Sequence, residues 1–177
     1  MRKVDVIPYQ KNWNTLFQVE KEKLQCILRS EIEEIHHIGS TSINGMHAKP
    51  IIDILVVVKH IEKMDDYNEP LFEIGYEAQG ENGLSGRRFF IKGGDERTHH
   101  VHMYQFENKE IARHLVFRDY MRTFKEEGQF YSQLKQNLAM SHPTNMEEYI
   151  KGKHGYIQKI EKKAIAWFEE GNNERHI

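Results

Sequence analysis

Residues 51–58 read Ile-Ile-Asp-Ile-Leu-Val-Val-Val, an apolar and mostly β-branched run broken only by Asp53. Such a run predicts a central strand covered on both faces. Upstream, Trp13, Leu16, Phe17, Leu24, Ile27 and Leu28 recur at helical spacing. They predict an amphipathic helix over 12–29, capped by Asn12, with Cys26 on its apolar stripe as a small core residue. Residues 33–40 read as a short strand ending in a Gly39-Ser40 turn, and 59–68 as a helix that Pro70 stops from continuing. Three further strands are predicted over 76–78, 88–92 and 99–106, with Gly93-Gly94-Asp95 turning the last two into a hairpin. From Asn108 the pattern is helical, with helices over 109–123 and 127–141. A third is announced by Pro143 and by Thr144 with Glu147 as a capping box, and its stripe runs from Tyr149 through Tyr156, Ile160 and Ala164 to Trp167 and Phe168. The expected architecture is α+β, a small mixed sheet flanked by helices with a helical C-terminal part. A single domain is expected over 1–177, its sheet-containing core in 1–107 and helices 108–177 packed on it.

Composition narrows the classes without choosing among them. With 29 % charged and 38 % apolar residues in 177, the chain has a globular rather than a disordered composition. A net charge of −2, with acids and bases interspersed, gives no signal for nucleic acid or an anionic membrane. The single cysteine permits no internal disulfide and suits a reducing cytoplasm. No apolar stretch approaches the length of a membrane span, and none follows Arg2-Lys3 as a leader would. A homodimer remains open.

The candidate chemistry lies on two strands and one turn. Alternation puts Asp53 on one face with Ile51, Leu55 and Val57, and puts His100 and His102 on one face with Tyr104. Were the two strands neighbours, Asp53, His100 and His102 would converge. Two imidazoles and a carboxylate suit Zn, Mn or Fe better than the all-oxygen shell of Mg. The plainer reading is a structural acid hydrogen-bonded to loop amides and histidines that line a polar groove. The Gly39-Ser40-Thr41 turn offers close backbone approach and hydroxyls for phosphate oxygens. Lys49, in the same connection, either meets a phosphate or is a solvated loop lysine. Among the basic residues, Arg88 beside Phe89-Phe90 is expected to border the same cleft. Arg118 and Arg122, a helical turn apart, and Lys135, four residues after Tyr131, are cleft cations or surface charges. No oriented acid accompanies Ser40, so no nucleophile triad stands out.

Five segments carry a family resemblance: His37-Ile38-Gly39-Ser40-Thr41, Lys49 to Ile54, Arg97 to His102, His114 to Tyr120, and Tyr131 with Leu134-Lys135. Together they resemble the GrpB family of small bacterial proteins, grouped with the nucleotidyltransferase fold. The resemblance implies that fold, with Gly39-Ser40 and, after a twelve-residue spacer, Asp53 matching the superfamily signature. That signature has a second acid two positions on, where this chain has Leu55. Two-metal transfer by the superfamily route needs carboxylates that hold two cations together, which one aspartate does not provide.

The first expectation is therefore a protein that binds a nucleotide or other phosphorylated small molecule at the Gly-Ser turn, with one divalent metal (Mg, Mn or Zn) near Asp53. It would transfer a nucleotidyl or phosphoryl group, with Asp53 and His102 catalytic and Asp53, His100 and His102 as metal ligands. Gly39, Ser40, Thr41, Lys49, Arg88 and Arg118 would hold phosphate. The alternatives are a catalytically degenerate phosphate-binding module and a histidine-rich, transition-metal-dependent hydrolase.

Overall fold

The computed structural model describes residues 3–174. The apolar run forms β2 (Ile52–Val58), whose residues other than Asp53 are all buried. It lies between β1 (Ile32–Ile38) and β5 (His99–Gln105), and β4 (Arg87–Lys92) and β3 (Tyr76–Ala78) complete a five-stranded sheet in the order β1-β2-β5-β4-β3. Only β2 and β5 run parallel; every other neighbour is antiparallel. Segments 47 residues apart at their strand starts (Ile52 and His99 in register, Asp53 against His100) thus lie side by side.

One sheet face is the main core. Ile52, Ile54, Val56, Val58, Val101, Met103 and Phe90 meet Trp13, Phe17, Leu24 and Leu28 of α1 (Trp13–Leu28) and Leu71 of α2 (Asn68–Glu73). Each such side chain stabilises by about 1.5–3 kcal/mol when fully buried. On the other face Ile38, Leu55 and Tyr104 pack beneath Ile111 and Leu115 of α3 (Lys109–Thr123). α4 (Lys125–Ser141) and α5 (Met146–Glu174) add a second cluster with α3 that reaches Ile43 and Met46 in the β1–β2 connection.

Several local expectations are corrected. Asn12 already has helical backbone angles (φ −73°, ψ −10°), and its side chain makes no capping bond. The buried stripe of α1 is narrower than its apolar residues suggest: Leu16 is 41 % exposed and Cys26 is exposed, whereas Glu20 is buried. Glu20 can be buried because Tyr76 Oη, Lys23 Nζ and Lys92 Nζ all donate to it at 2.8–3.1 Å. In place of a helix over 59–68, a 3-10 turn at Glu62–Tyr67 leads into α2, and Pro70 lies inside its first turn, where no amide is needed. α4 begins two residues before the expected 127. Asn145, not Thr144, caps α5, its side chain accepting from Glu148 N–H at 3.2 Å. Phe168 is 47 % exposed and drops out of the α5 stripe. No helix among the described residues is long and apolar enough to cross a membrane.

Candidate functional site

The parallel register of β2 and β5 pairs Asp53 with His100 and Leu55 with His102, so Asp53 and both imidazoles leave the sheet on one face. His100 Nδ1 and His102 Nε2 lie 3.2 and 3.4 Å from the same oxygen, Asp53 Oδ1. The three ligand atoms are within 4.8 Å of one another. Two ligands on a metal with bonds near 2.1 Å are separated by about 3.0–3.4 Å, the spacing each imidazole keeps from Asp53 Oδ1. Two imidazoles and one carboxylate form the donor set of transition-metal sites rather than Mg sites. The protonation states suit it as well. Burial works against the Asp53 carboxylate, but the hydrogen bonds and charge of His100 and His102 outweigh it and hold the carboxyl well below the usual range. Burial likewise pushes His102 down, against the pull of Asp53. An ionised acid beside a neutral imidazole is what a metal requires of its ligands.

Phe89 walls this group, its ring 5.3 Å from His100 and 5.0 Å from His102. Behind His102 lies His114 of α3, the two rings 5.4 Å apart. Burial, with His102 and Arg113 adding to it, pushes His114 down to about 3. His102 Nδ1 is buried and has no hydrogen-bond partner among the described residues. The second ring nitrogen of a metal-bound histidine normally has a partner that fixes the ring, and none is present at His102 Nδ1 among the described residues.

The Gly-Ser turn lies against Asp53. β1 ends at Ile38, which pairs with Asp53, and Gly39 follows at φ +69°. A Cβ built on Gly39 would lie 2.7 Å from Asp53 Oδ2, so only glycine lets the turn approach the acid. The Asp53 side chain keeps 28 % of its surface exposed and is not sealed in the core. Of the three hydroxyls on the turn, two are spent holding it. Ser42 Oγ donates to Gly39 O at 2.6 Å, and Thr41 Oγ1 is shared between His37 Nε2 at 2.9 Å and Ile51 O. Ser40 Oγ instead meets Lys135 Nζ of α4 at 2.7 Å.

Lys135 is 2 % exposed and sits 4.4 Å from the Tyr131 ring. Burial, then the charges of Lys153 and Lys49, push it down to about 6. Lys49 and Lys153 approach the Tyr149 ring at 5.5 and 5.2 Å; burial pushes Lys153 down, and the charge of Asp53 opposes that. Of the three lysines Lys135 touches the turn, and the charges of the other two reach Lys135.

The remaining sequence candidates fall elsewhere. Arg88 pairs in register with core-facing Met103, so its side chain leaves the sheet opposite Asp53, where Nε and Nη2 hold Asp65 at 2.7 and 2.9 Å. The expectation that Arg88 borders the cleft is corrected by strand parity. Arg87 occupies the Asp53 face instead, its guanidinium 4.7 Å from the Phe89 ring. Arg118 donates to His37 O at 3.2 Å and pairs with Asp119, fixing the end of β1 behind the turn. Arg122 donates to Ser42 O at 2.7 Å and does the same for the other end of the turn. His36 and His37 do not join the metal set: His37 stacks on Phe17 at 4.9 Å, and His36 pairs with Glu34. Leu55 is fully buried under α3, so the place of a second acid is occupied by core. A separate cleft of about 800 Å³ lies between the 42–47 loop and α4; neither Asp53 nor Ser40 lines it.

Sequence reasoning passed over Lys153, met His114 only within a family-like segment, and left Lys135 open between cleft and surface. Lys135 carried a signal in its helical spacing from Tyr131 and His114 one in that segment, while Lys153 carried none.

The GrpB protein family pattern matches residues 3–163. The chain is 48 % identical over 172 residues to the UPF0157 protein YqkA of Bacillus subtilis, covering 97 % of this chain and 50 % of that protein. It thus spans half the length of that relative. It is 33 % identical over 162 residues to the glutamate-rich protein GrpB of Alkalihalophilus pseudofirmus, covering 89 % and 93 %. The crystal structure of the conserved protein GrpB from Enterococcus faecalis superposes with a TM-score of 0.90 at 46 % identity, covering 93 % of this chain and 99 % of that one. A cytoplasmic RNA terminal U-transferase shares the fold at a TM-score of 0.52 and 14 % identity, covering 76 % of this chain and 41 % of that one.

Proposed function

Because the chain belongs to the GrpB protein family, whose fold is that of the nucleotidyltransferases, we propose that it binds a nucleotide or other phosphorylated small molecule at the Gly39-Ser40 turn, beside one divalent metal. Asp53, His100 and His102 would hold that metal; Ser40, Lys135, Lys49 and Lys153 would hold the phosphates, with Arg118 and Thr41 fixing the turn. The observation that carries this reading is the contact of Gly39 with Asp53, which joins an acid-histidine set to a lysine-rimmed turn. A bound metal would supply charge neutralisation at phosphoryl oxygens. The chain's own groups orient: Ser40 and the lysines fix the phosphates, and Phe89 keeps water from one side. Transfer of a nucleotidyl or phosphoryl group at a one-metal site, by a single cytoplasmic domain, is the reaction class we assign.

The burial of Leu55 favours a second reading, a module that binds the same ligand without turning it over. One experiment serves both. The protein is assayed for metal as isolated, then melted with a panel of nucleotides with and without Mn²⁺ or Zn²⁺. Nucleotide that raises the melting temperature only in wild type, and not in Asp53→Asn, supports the site. A panel in which no nucleotide shifts the melt removes both readings.

A further inference from the structure

Resting on the reading above, we propose that Ser40 is a nucleophile that accepts the terminal phosphoryl group of a bound nucleoside triphosphate, with Lys135 as its base. The first ground is selectivity on the turn itself. Thr41 and Ser42 are buried with their hydroxyls committed to the backbone and His37, while Ser40 is only half-buried and its Oγ faces an amine at 2.7 Å.

The second ground is how that amine is held. Lys135 is sealed between Ser40 and the Tyr131 ring, and the charges that reach it, Lys49 from the turn connection and Lys153 from α5, are both positive. A lysine so placed sheds its proton readily, and the free amine then accepts from the serine hydroxyl. The shift of Lys135 down to about 6 agrees with that direction. Pairing a serine with a lysine base is a recurrent solution for activating a hydroxyl that lacks a histidine partner. His37, the imidazole nearest in sequence, is unavailable because it is stacked on Phe17 and bonded to Thr41.

The step balances within the chain and its ligand. Lys135 enters as the neutral amine and takes the Ser40 Oγ proton as Oγ bonds to the terminal phosphorus. The bridging P–O bond breaks, and its electron pair leaves on the nucleoside diphosphate. The product is a phosphoserine facing the Lys135 ammonium, with Lys49 and Lys153 beside the new dianion.

The test uses the whole chain with ATP, GTP, CTP, UTP and acetyl phosphate in turn, acid quench, and intact-mass and peptide analysis. One phosphoryl group should appear on Ser40 and be absent from Ser40→Ala. Lys135→Arg keeps the charge but provides no base, so labelling should slow about 100-fold while nucleotide still raises its melting temperature. Lys135→Gln, which keeps an N–H donor but no base, takes its place should Lys135→Arg not fold. An unmodified Ser40 with every donor, or wild-type labelling in Lys135→Arg, overturns the proposal. If Ser40 stays unmodified while nucleotide raises the wild-type melt, the binding reading stands alone; if the melt is also unmoved, both fall.

Discussion

Gly39 and Asp53 are in contact across the β1–β2 junction, close enough that a Cβ on the glycine would lie 2.7 Å from Asp53 Oδ2. The contact brings the turn and the acid together although twelve residues separate Ser40 from Asp53 in the chain.

Gly39→Ala tests that contact. Alanine at φ +69° is strained, and its methyl group collides with the carboxylate. The expected outcome is a loss of about 1–3 kcal/mol in stability by denaturant titration. Metal affinity, measured by calorimetry, should fall by at least about 10-fold, because Asp53 is turned from the histidines.

Asp53→Asn leaves an isostere between the same histidines. We expect near-wild-type secondary structure by circular dichroism and loss of bound transition metal by elemental analysis. His102→Ala should lose the metal too, while Arg88→Ala, on the far sheet face, should retain it. Equal loss in Arg88→Ala would mean that the metal is bound elsewhere.

Lys135→Met should separate stability from binding. Replacing a buried cation by an apolar side chain of similar length is expected to raise the melting temperature of the free protein. The folded pKa of Lys135, about 6, lies below its ordinary value of 10.5, so between these the unfolded chain binds more protons. Wild type therefore gains stability as pH rises through that window, and the advantage of Lys135→Met should be largest near pH 6 and shrink towards pH 10. The same variant should lose the stabilisation that nucleotide gives wild type.

How much of this was legible is clearest at β2 and β5. The β-branched run around Asp53 marks a strand, and alternation marks His100 and His102 as a pair on one face. Their convergence required β2 and β5 to be parallel neighbours with β3 and β4 displaced to one side, a long-range choice that local pattern does not record. Arg88 was misplaced because its strand was expected to border the cleft and its own face was not worked out; the register that ties Phe89 to His102 sends Arg88 to the other side. Lys135 and Lys153 were hidden for a different reason: charged residues on amphipathic helices usually face water, and only tertiary packing turns these two inward. Cys26 and Leu16 show the converse, since apolar spacing marked a wider stripe on α1 than the sheet covers.

Glu20 gives a prediction away from the site. Burial raises its pKa, but hydrogen bonds from Lys23, Tyr76 and Lys92 prevail, and the net shift is downward. A depressed folded pKa means stability that is present above the ordinary carboxylate range and is lost as pH falls through the folded pKa. Glu20→Gln should therefore destabilise by about 3 kcal/mol at neutral pH. Its melting curve should approach that of wild type as the medium becomes strongly acidic.

The most direct measurement is a crystal structure of the protein with Mn²⁺ and a non-hydrolysable nucleoside triphosphate, with the metal located by anomalous scattering. The expected result is one anomalous peak about 2.0–2.2 Å from Asp53, His100 and His102, with phosphate oxygens hydrogen-bonded to Ser40 and Lys135. A nucleotide seated instead in the cleft between the 42–47 loop and α4, or a metal away from Asp53, would contradict the single-site account.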